Sequence, residues 1–386
     1  MRNPIVLSLA VSAILVSCGT RKGSSAIPIE DSESKIFLDE MTGGRTYLML
    51  DDSSLDAVVT GMDKVMVDDG KLFISFYSSV YRGDWGEGIL ELAVFDTDGR
   101  FLNKVGRKGR ARNEINRMES WCLDTQNKEI VIIDSDYSIK RYAYDGTFVS
   151  SVSIDGYVPL WDVMFCNGRL YSSMLMPNQV ADDLLELKDG GTYVPLMTPR
   201  ASMQEMGPFS NGGGIGSTQQ IVDPGLESFC HLRLFDNVLY RVEEDKVEPC
   251  GSFDFIVPVD EKSEVSYSGA ILNSRPAGTY ETGSKFIIKT YETNEDRMIT
   301  GLVNYVYDKS TQKCTCYKAE YNQNVGMISN HFKIVGVTGD VVITRATPEG
   351  ARYILENAAD KVPQSDLEML KVLADRENEA IIFHHP

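Results

Sequence analysis

One hairpin occurs twice in succession, and it restricts the fold of this chain more than any other feature. AVFDTDGRFLNKVG begins at Ala93 and turns at Asp98-Gly99; RYAYDGTFVSSVSI begins at Arg141 and turns at Asp145-Gly146. Each reads as an aromatic-containing strand, an Asp-Gly turn and a second alternating strand. Asp-Gly supplies the positive φ that a tight hairpin turn requires. Hairpins returning at the length of one four-stranded sheet, about 40–50 residues, are the pattern of β-propeller blades.

The rest of the chain extends this pattern. Lys64–Asp68 and Lys71–Tyr77 flank Asp69-Gly70, and Ile89–Asp96 with Arg100–Val105 completes a first blade. Glu119–Asp124, Glu129–Asp134, Ile139–Tyr144 and Thr147–Ile154 repeat the order. A third unit opens with Trp161–Cys166 and Arg169–Met174 around Asn167-Gly168. Strand signals fade over Ala201–Gln219 and resume through Glu227–Val242, Lys285–Glu292, Gly301–Asp308 and Phe332–Arg345. The sequence therefore predicts an all-β, six-bladed β-propeller over residues 36–386. A short C-terminal helical segment is expected at about 348–376, in two helices: Pro348–Asn357, which opens on Pro-Glu, and Ser365–Arg376, with Leu367, Leu370 and Leu373 on one face. A closing strand at about 380–383 is expected to meet Tyr47–Leu50 at the ring seam.

The N-terminus stands outside that fold. Arg2 precedes an apolar stretch, Ile5 to Val16, broken only by Ser8 and Ser12. A membrane-spanning helix needs about 20 apolar residues, so residues 1–17 read as a signal peptide and 18–35 as a tether. Leu15-Val16-Ser17-Cys18 resembles the bacterial lipobox. That resemblance implies cleavage before Cys18 and lipidation there, on the periplasmic or outer-membrane side of a bacterial envelope. The simpler alternative is an ordinary signal peptide with a chance cysteine. A formal net charge of −18 argues against nucleic acid and against the chain lying flat on anionic lipid, leaving the N-terminal lipid as the membrane contact.

The order of several segments carries a further resemblance. DKVMVDDGKLFISF, LAVFDTDGRFLNKVGRKG, NKEIVIIDSDYSIKRYAYDG, LRLFDNVLYRVEEDKVEP, VNYVYDKSTQK and the terminal ENEAIIF are similar, in sequence order and spacing, to the bacterial six-bladed β-propeller lipoproteins of NHL-like type. The chain departs from that pattern where a Gly-Pro-Gly-Glu loop usually follows G-x-x-G. Gly106 and Gly109 lead instead into Arg110-Ala111-Arg112-Asn113-Glu114, keeping the Glu without the Pro or the later Gly.

Catalytic constellations are scarce. The four histidines, His231, His331, His384 and His385, form no HExxH, and His384-His385 reads as a frayed tail. The GGGIG run at Gly212–Gly216 lacks the Gly-Lys-Ser/Thr ending of a phosphate loop, and no G-x-S-x-G elbow occurs. Asp68-Asp69, Asp134–Asp136 and Glu243–Asp245 could offer oxygens to Ca²⁺, but Asp is also the ordinary residue of such turns. No cofactor is expected; Ca²⁺ is the alternative. Cys122, Cys166 and Cys230 fall in apolar strand-like runs and read as buried thiols, with disulfides among these, Cys250, Cys314 and Cys316 the alternative.

Three groups remain as candidate sites. Lys104, Arg107, Lys108, Arg110, Arg112 and Arg117 concentrate positive charge in an acidic chain, with Glu114 the acid among them. They suit an anionic ligand or an acidic partner, because Arg forks carboxylates and phosphates; the simpler reading is a loop paired with acidic neighbours. Counting six residues back from early turns gives Asp63, Trp121, Trp161 and His231, with Lys333 at the matching place before Gly339. These could ring one channel mouth and hold a sugar or peptide; the alternative is that the tryptophans pack between blades. Trp85, in YRGDWGEG, is a candidate exposed partner contact. The function expected is non-catalytic binding of a protein, glycan or peptide. A glycan lyase or hydrolase, with or without Ca²⁺, and a structural subunit of an outer-membrane complex are the alternatives.

Overall fold

The computed structural model describes residues 27–31, 43–82, 88–156, 160–174, 184–197, 219–232, 238–253, 276–293, 299–320, 333–357, 359–361 and 363–386. Cys18, Trp85, His331 and the GGGIG run lie outside them. Two short early strands, β1 (Ile29–Asp31) and β2 (Gly44–Met49), find their partners late in the chain. β3 (Met62–Asp68), β4 (Lys71–Arg82), β5 (Gly88–Asp96) and β6 (Phe101–Lys104) form a first antiparallel meander. β7 (Met118–Asp124), β8 (Glu129–Asp134), β9 (Ser138–Ala143) and β10 (Phe148–Ser153) form the second. β11 (Leu160–Cys166), β12 (Arg169–Met174), β13 (Leu184–Leu187) and β14 (Tyr193–Met197) form the third.

After β15 (Gln219–Val222), the fourth sheet has three strands: β16 (Phe229–Leu232), β17 (Val238–Glu243) and β18 (Lys246–Ser252). The fifth contains β19 (Pro276–Glu281), β20 (Lys285–Thr293), β21 (Ile299–Asp308) and β22 (Lys313–Glu320), with β15 added parallel to β19 and β1 parallel to β22. β23 (Ile334–Thr338), β24 (Val341–Ala346) and β25 (Ala380–His385) are completed by β2 in the sixth. The fold is an all-β propeller with a short C-terminal helical segment. The expected six blades are corrected: among the described residues five sheets hold the full four-stranded antiparallel meander, so five blades are present, and the fourth sheet falls short. Beside β18 the N-terminal segment enters instead, with the Ile27 N–H donating to Ser252 O at 2.8 Å.

The sheets adjoin in a circle, β3 against β23, β7 against β11 and β16 against β19. The repeated turns explain part of this docking. Gly99, Gly146 and Gly191 have φ of +81°, +83° and +81°. A Cβ on them would lie 2.5 Å from Met49 O, 2.9 Å from Lys104 O and 2.0 Å from Ser153 O. Each outer hairpin thus presses its turn on the outer strand of the sheet before it, an approach open to glycine alone. The third member, Gly191, belongs to a hairpin whose sequence is too irregular to reveal it.

Two helices follow β24: α1 (Pro348–Asn357) and α2 (Gln364–Ala374). Ile354, Leu370 and Leu373 bury against Ala346, Ala380 and Ile382 of the sixth sheet. The seam pairs Tyr47 with Ile382 and Gly44 with His385. This overturns the frayed tail, because β25 runs on through His384, which is buried with Nε2 2.8 Å from Thr344 Oγ1. Burial lowers the His384 imidazole to about 3, so it stays neutral. All six described cysteines are free thiols, and burial raises Cys122, Cys166 and Cys314 to about 12. Among the described residues no helix is long and apolar enough to cross a membrane.

Candidate functional site

A meander that begins at the ring centre sends its inner strand the same way in every sheet, so the inner strands start at one mouth. β3, β7 and β11 each carry a β-bulge near that start, at Asp63, Glu119 and Trp161. A bulge adds one residue to one strand and re-aims its side chains. The residues that follow are Lys64, Ser120 and Asp162, all buried polar groups where an apolar core would have none.

These groups join into a belt across neighbouring sheets. Lys64 Nζ donates to Trp121 O at 2.7 Å and lies 5.5 Å from the Trp121 ring centre. Ser120 Oγ stands 3.5 Å from Asp162 Oδ1 and accepts the Val163 N–H at 3.1 Å. The Gln220 N–H donates to Asp162 Oδ2 at 2.6 Å; Gln220 Nε2 donates to Cys230 O at 2.7 Å, and its Oε1 is 3.1 Å from His231 Nδ1. Gln220 belongs to β15, which adjoins β11 and β23 as well as β19 and so lies inside the ring. Burial pushes the Asp162 carboxyl up to about 6 against the opposing pull of Lys64 and the Gln220 N–H.

The sixth sheet brings Lys333 to Asp63, at 3.4 Å across the joint with the first. Lys289 on β20 is buried nearby, and burial, reinforced by Lys333 and Arg345, lowers its ammonium to about 8. Arg345 pairs with Glu379 at 3.1 Å, and the two Glu379 oxygens accept the Gly61 and Met62 N–H groups. The mouth therefore carries both cations and carboxylates, an arrangement suited to hydrogen bonding a polar or zwitterionic ligand.

The residues singled out from sequence fall into three classes. Asp63 and Lys333 meet, and His231 reaches the belt through Gln220. Trp121 is 1 % exposed, and its alignment with the others shifts by two residues. The β7–β8 turn runs through Thr125–Lys128, whereas β3–β4 turns on Asp69-Gly70, so Trp121 is level with Val65 and Val163 in the core. Trp161 sits at the β11 bulge, its side chain outside the described part, and Trp85 lies wholly outside it. Lys64, Ser120, Asp162, Gln220 and Lys289 were missed, because a bulge and an inserted parallel strand leave no local sequence signal.

Of the basic segment, Lys104, Arg107, Lys108 and Arg117 line a cavity of about 570 Å³ between the first and second sheets, while Arg110 and Arg112 are exposed on the same loop. The loop keeps its turn without the Pro, because Glu114 Oε2 accepts the Ala111 N–H at 2.9 Å. Asp68 and Asp134 are engaged by protein groups: Lys128 Nζ and Tyr144 OH at 2.8 and 2.7 Å for Asp68, and Lys140 Nζ at 2.6 Å for Asp134. Among the described residues no three His, Cys, Asp or Glu side chains are grouped to hold a metal ion.

The family described as a domain of unknown function, DUF4934, matches residues 62–385. The chain belongs to the DUF4934 family. No curated protein matches this DUF4934 chain. Its fold is similar to the crystal structure of a candidate exported protein from Bacteroides fragilis, with TM-score 0.64 and 15% identity over 93% of this chain and 99% of that one. A second similar structure is a member of the DUF4221 family from Bacteroides vulgatus, with TM-score 0.52 and 10% identity over 89% and 96% of the two chains. At such identities the likeness concerns the DUF4934 fold alone.

Proposed function

We propose that this propeller is exported, lipid-anchored at Cys18 in a bacterial envelope, and acts as a non-catalytic binding module that takes a glycan, peptide or protein segment at the inner-strand mouth. The lipobox-like Leu15-Val16-Ser17-Cys18 supports the anchor, and the fold shared with a candidate exported protein is in keeping with it. Kinship with NHL-like propellers belongs to the same reading, supported by the order and spacing of segments such as DKVMVDDGKLFISF and NKEIVIIDSDYSIKRYAYDG, with the Gly106–Glu114 loop the point of departure. The binding reading rests on one observation: the inner-strand starts carry the belt from Lys64 through Asp162 and Gln220 to His231, together with the Asp63–Lys333 pair, where packing alone would place apolar residues. Buried polar groups cost free energy unless they are satisfied, and here they satisfy one another, which sets a polar lining at the mouth before any ligand arrives.

Retention on a glycan and peptide array tests the module. The wild-type protein is expected to retain a ligand that the Lys333→Glu variant loses; equal retention by both rejects the mouth. Loss of metabolic palmitate labelling in Cys18→Ser tests the anchor.

A glycan lyase or hydrolase is the second reading, favoured by Asp162 alone, whose carboxyl near 6 lies in the range of a general acid or base. Glycan turnover abolished in Asp162→Asn would carry it.

A further inference from the structure

The cavity between the first and second sheets joins a basic rim to an apolar floor. Leu92, Val105 and Met118 are buried beneath it, beside half-buried Leu90, Phe101 and Ile115. Lys104, Arg107, Lys108 and Arg117 stand around it. Glu91 and Asp56 pair with Lys104 at 2.8 and 3.5 Å, Glu119 pairs with Arg117 at 2.5 Å, and Glu114 is turned onto the Ala111 N–H. These four carboxylates equal the four rim cations in number, and Arg110 and Arg112 on the same exposed loop leave the patch positive on a chain of formal net charge −18.

The rim is a fixed structure. The Ile115 N–H donates to Arg107 O at 2.8 Å and the Gly109 N–H to Ile115 O at 3.0 Å. Beneath the loop, Lys140 and Asp134 form a wholly buried pair at 2.6 Å. Lys140 Nζ also donates to Glu114 O, and the Asp134 carboxylate accepts the Asn116 and Arg117 N–H groups at 2.8 Å each. A loop backbone held in place before a ligand arrives loses little freedom on binding it.

We propose that this cavity is a second binding site, separate from the ring mouth, for a small amphipathic anion: a carboxylate or phosphate head on an apolar body. The rim and its loop supply the charge, the floor takes the apolar body, and about 570 Å³ lies within the range of small-molecule sites.

Isothermal titration of the purified protein with decanoate, decyl phosphate, decanol and inorganic phosphate tests this. One decanoate or decyl phosphate per chain is expected, with decanol and inorganic phosphate each weaker by about tenfold or more. Charge reversal in Arg107→Glu/Lys108→Glu, both on the exposed loop, is expected to weaken the two amphipathic anions by about tenfold or more. The milder Arg107→Ala/Lys108→Ala should weaken them in the same direction. Lys246→Glu/Lys313→Glu, an equal charge change on the distant β18 and β22, should leave binding unaltered. Decanol binding as tightly as decanoate, reversal without effect, or no binding of either amphipathic anion overturns the proposal.

Discussion

Asn378 reaches across the ring seam to Val59, its side-chain oxygen accepting the Val59 N–H at 2.8 Å. Its amide nitrogen donates to Asp51 O and Ala57 O at 2.8 and 3.0 Å, so one buried side chain satisfies three backbone groups of the segment entering the first blade. Glu379 accepts the Gly61 and Met62 N–H groups, and Arg376 bonds Leu50 O at 2.8 Å. Asn378→Ala leaves these partners unsatisfied at the seam and is expected to destabilise the protein by about 2–4 kcal/mol. Denaturant unfolding checks this; a change below about 0.5 kcal/mol, the usual range for surface substitutions, would remove the seam lock.

The docking turns give a paired test within two adjacent glycines. Gly191 has φ +81° and a Cβ position 2.0 Å from Ser153 O, whereas nothing lies within 4 Å of a Cβ on Gly190. Gly191→Ala should cost about 2 kcal/mol or more through left-handed strain and the clash with backbone, and Gly190→Ala less than about 1 kcal/mol. Equal costs in thermal unfolding would mean that the turn does not bear on the preceding blade.

How far this architecture was readable depends on how local each cause is. Asp98-Gly99 and Asp145-Gly146 announce hairpins because the turn chemistry is contained in two residues. Leu370 and Leu373 announce α2 because their spacing follows the helix turn. The belt is another matter. Trp121 was aligned with Asp63 by counting from a turn, and the longer Thr125–Lys128 turn moves it two residues into the core. Gln220 lies in a four-residue strand whose place inside the ring depends on parallel pairing with β19, about sixty residues later in the chain. His384 looked like a tail because its burial comes from β2 and β24 rather than from its neighbours in sequence.

Asp162 makes the belt visible to pH. Its folded value of about 6 lies above the ordinary 3.8, so the native state favours the protonated acid. Its contribution to stability is complete below the unfolded value and is lost as pH rises through about 6. Relative to wild type, Asp162→Asn should therefore gain on the order of 2–3 kcal/mol between pH 4 and pH 7. Parallel denaturant titrations of the two proteins measure that difference directly. A difference that stays flat, or falls, would show that Asp162 is ionised throughout.

The claim on which the functional account depends is that ligand sits where the inner strands begin. A crystal structure of the protein with the ligand retained on the array decides it. The account predicts ligand polar atoms at hydrogen-bond distance, about 2.7–3.2 Å, from Asp63 or Lys333. Ligand seated on the opposite face, beside the Arg141–Asp124 pair, with the mouth empty, would contradict it.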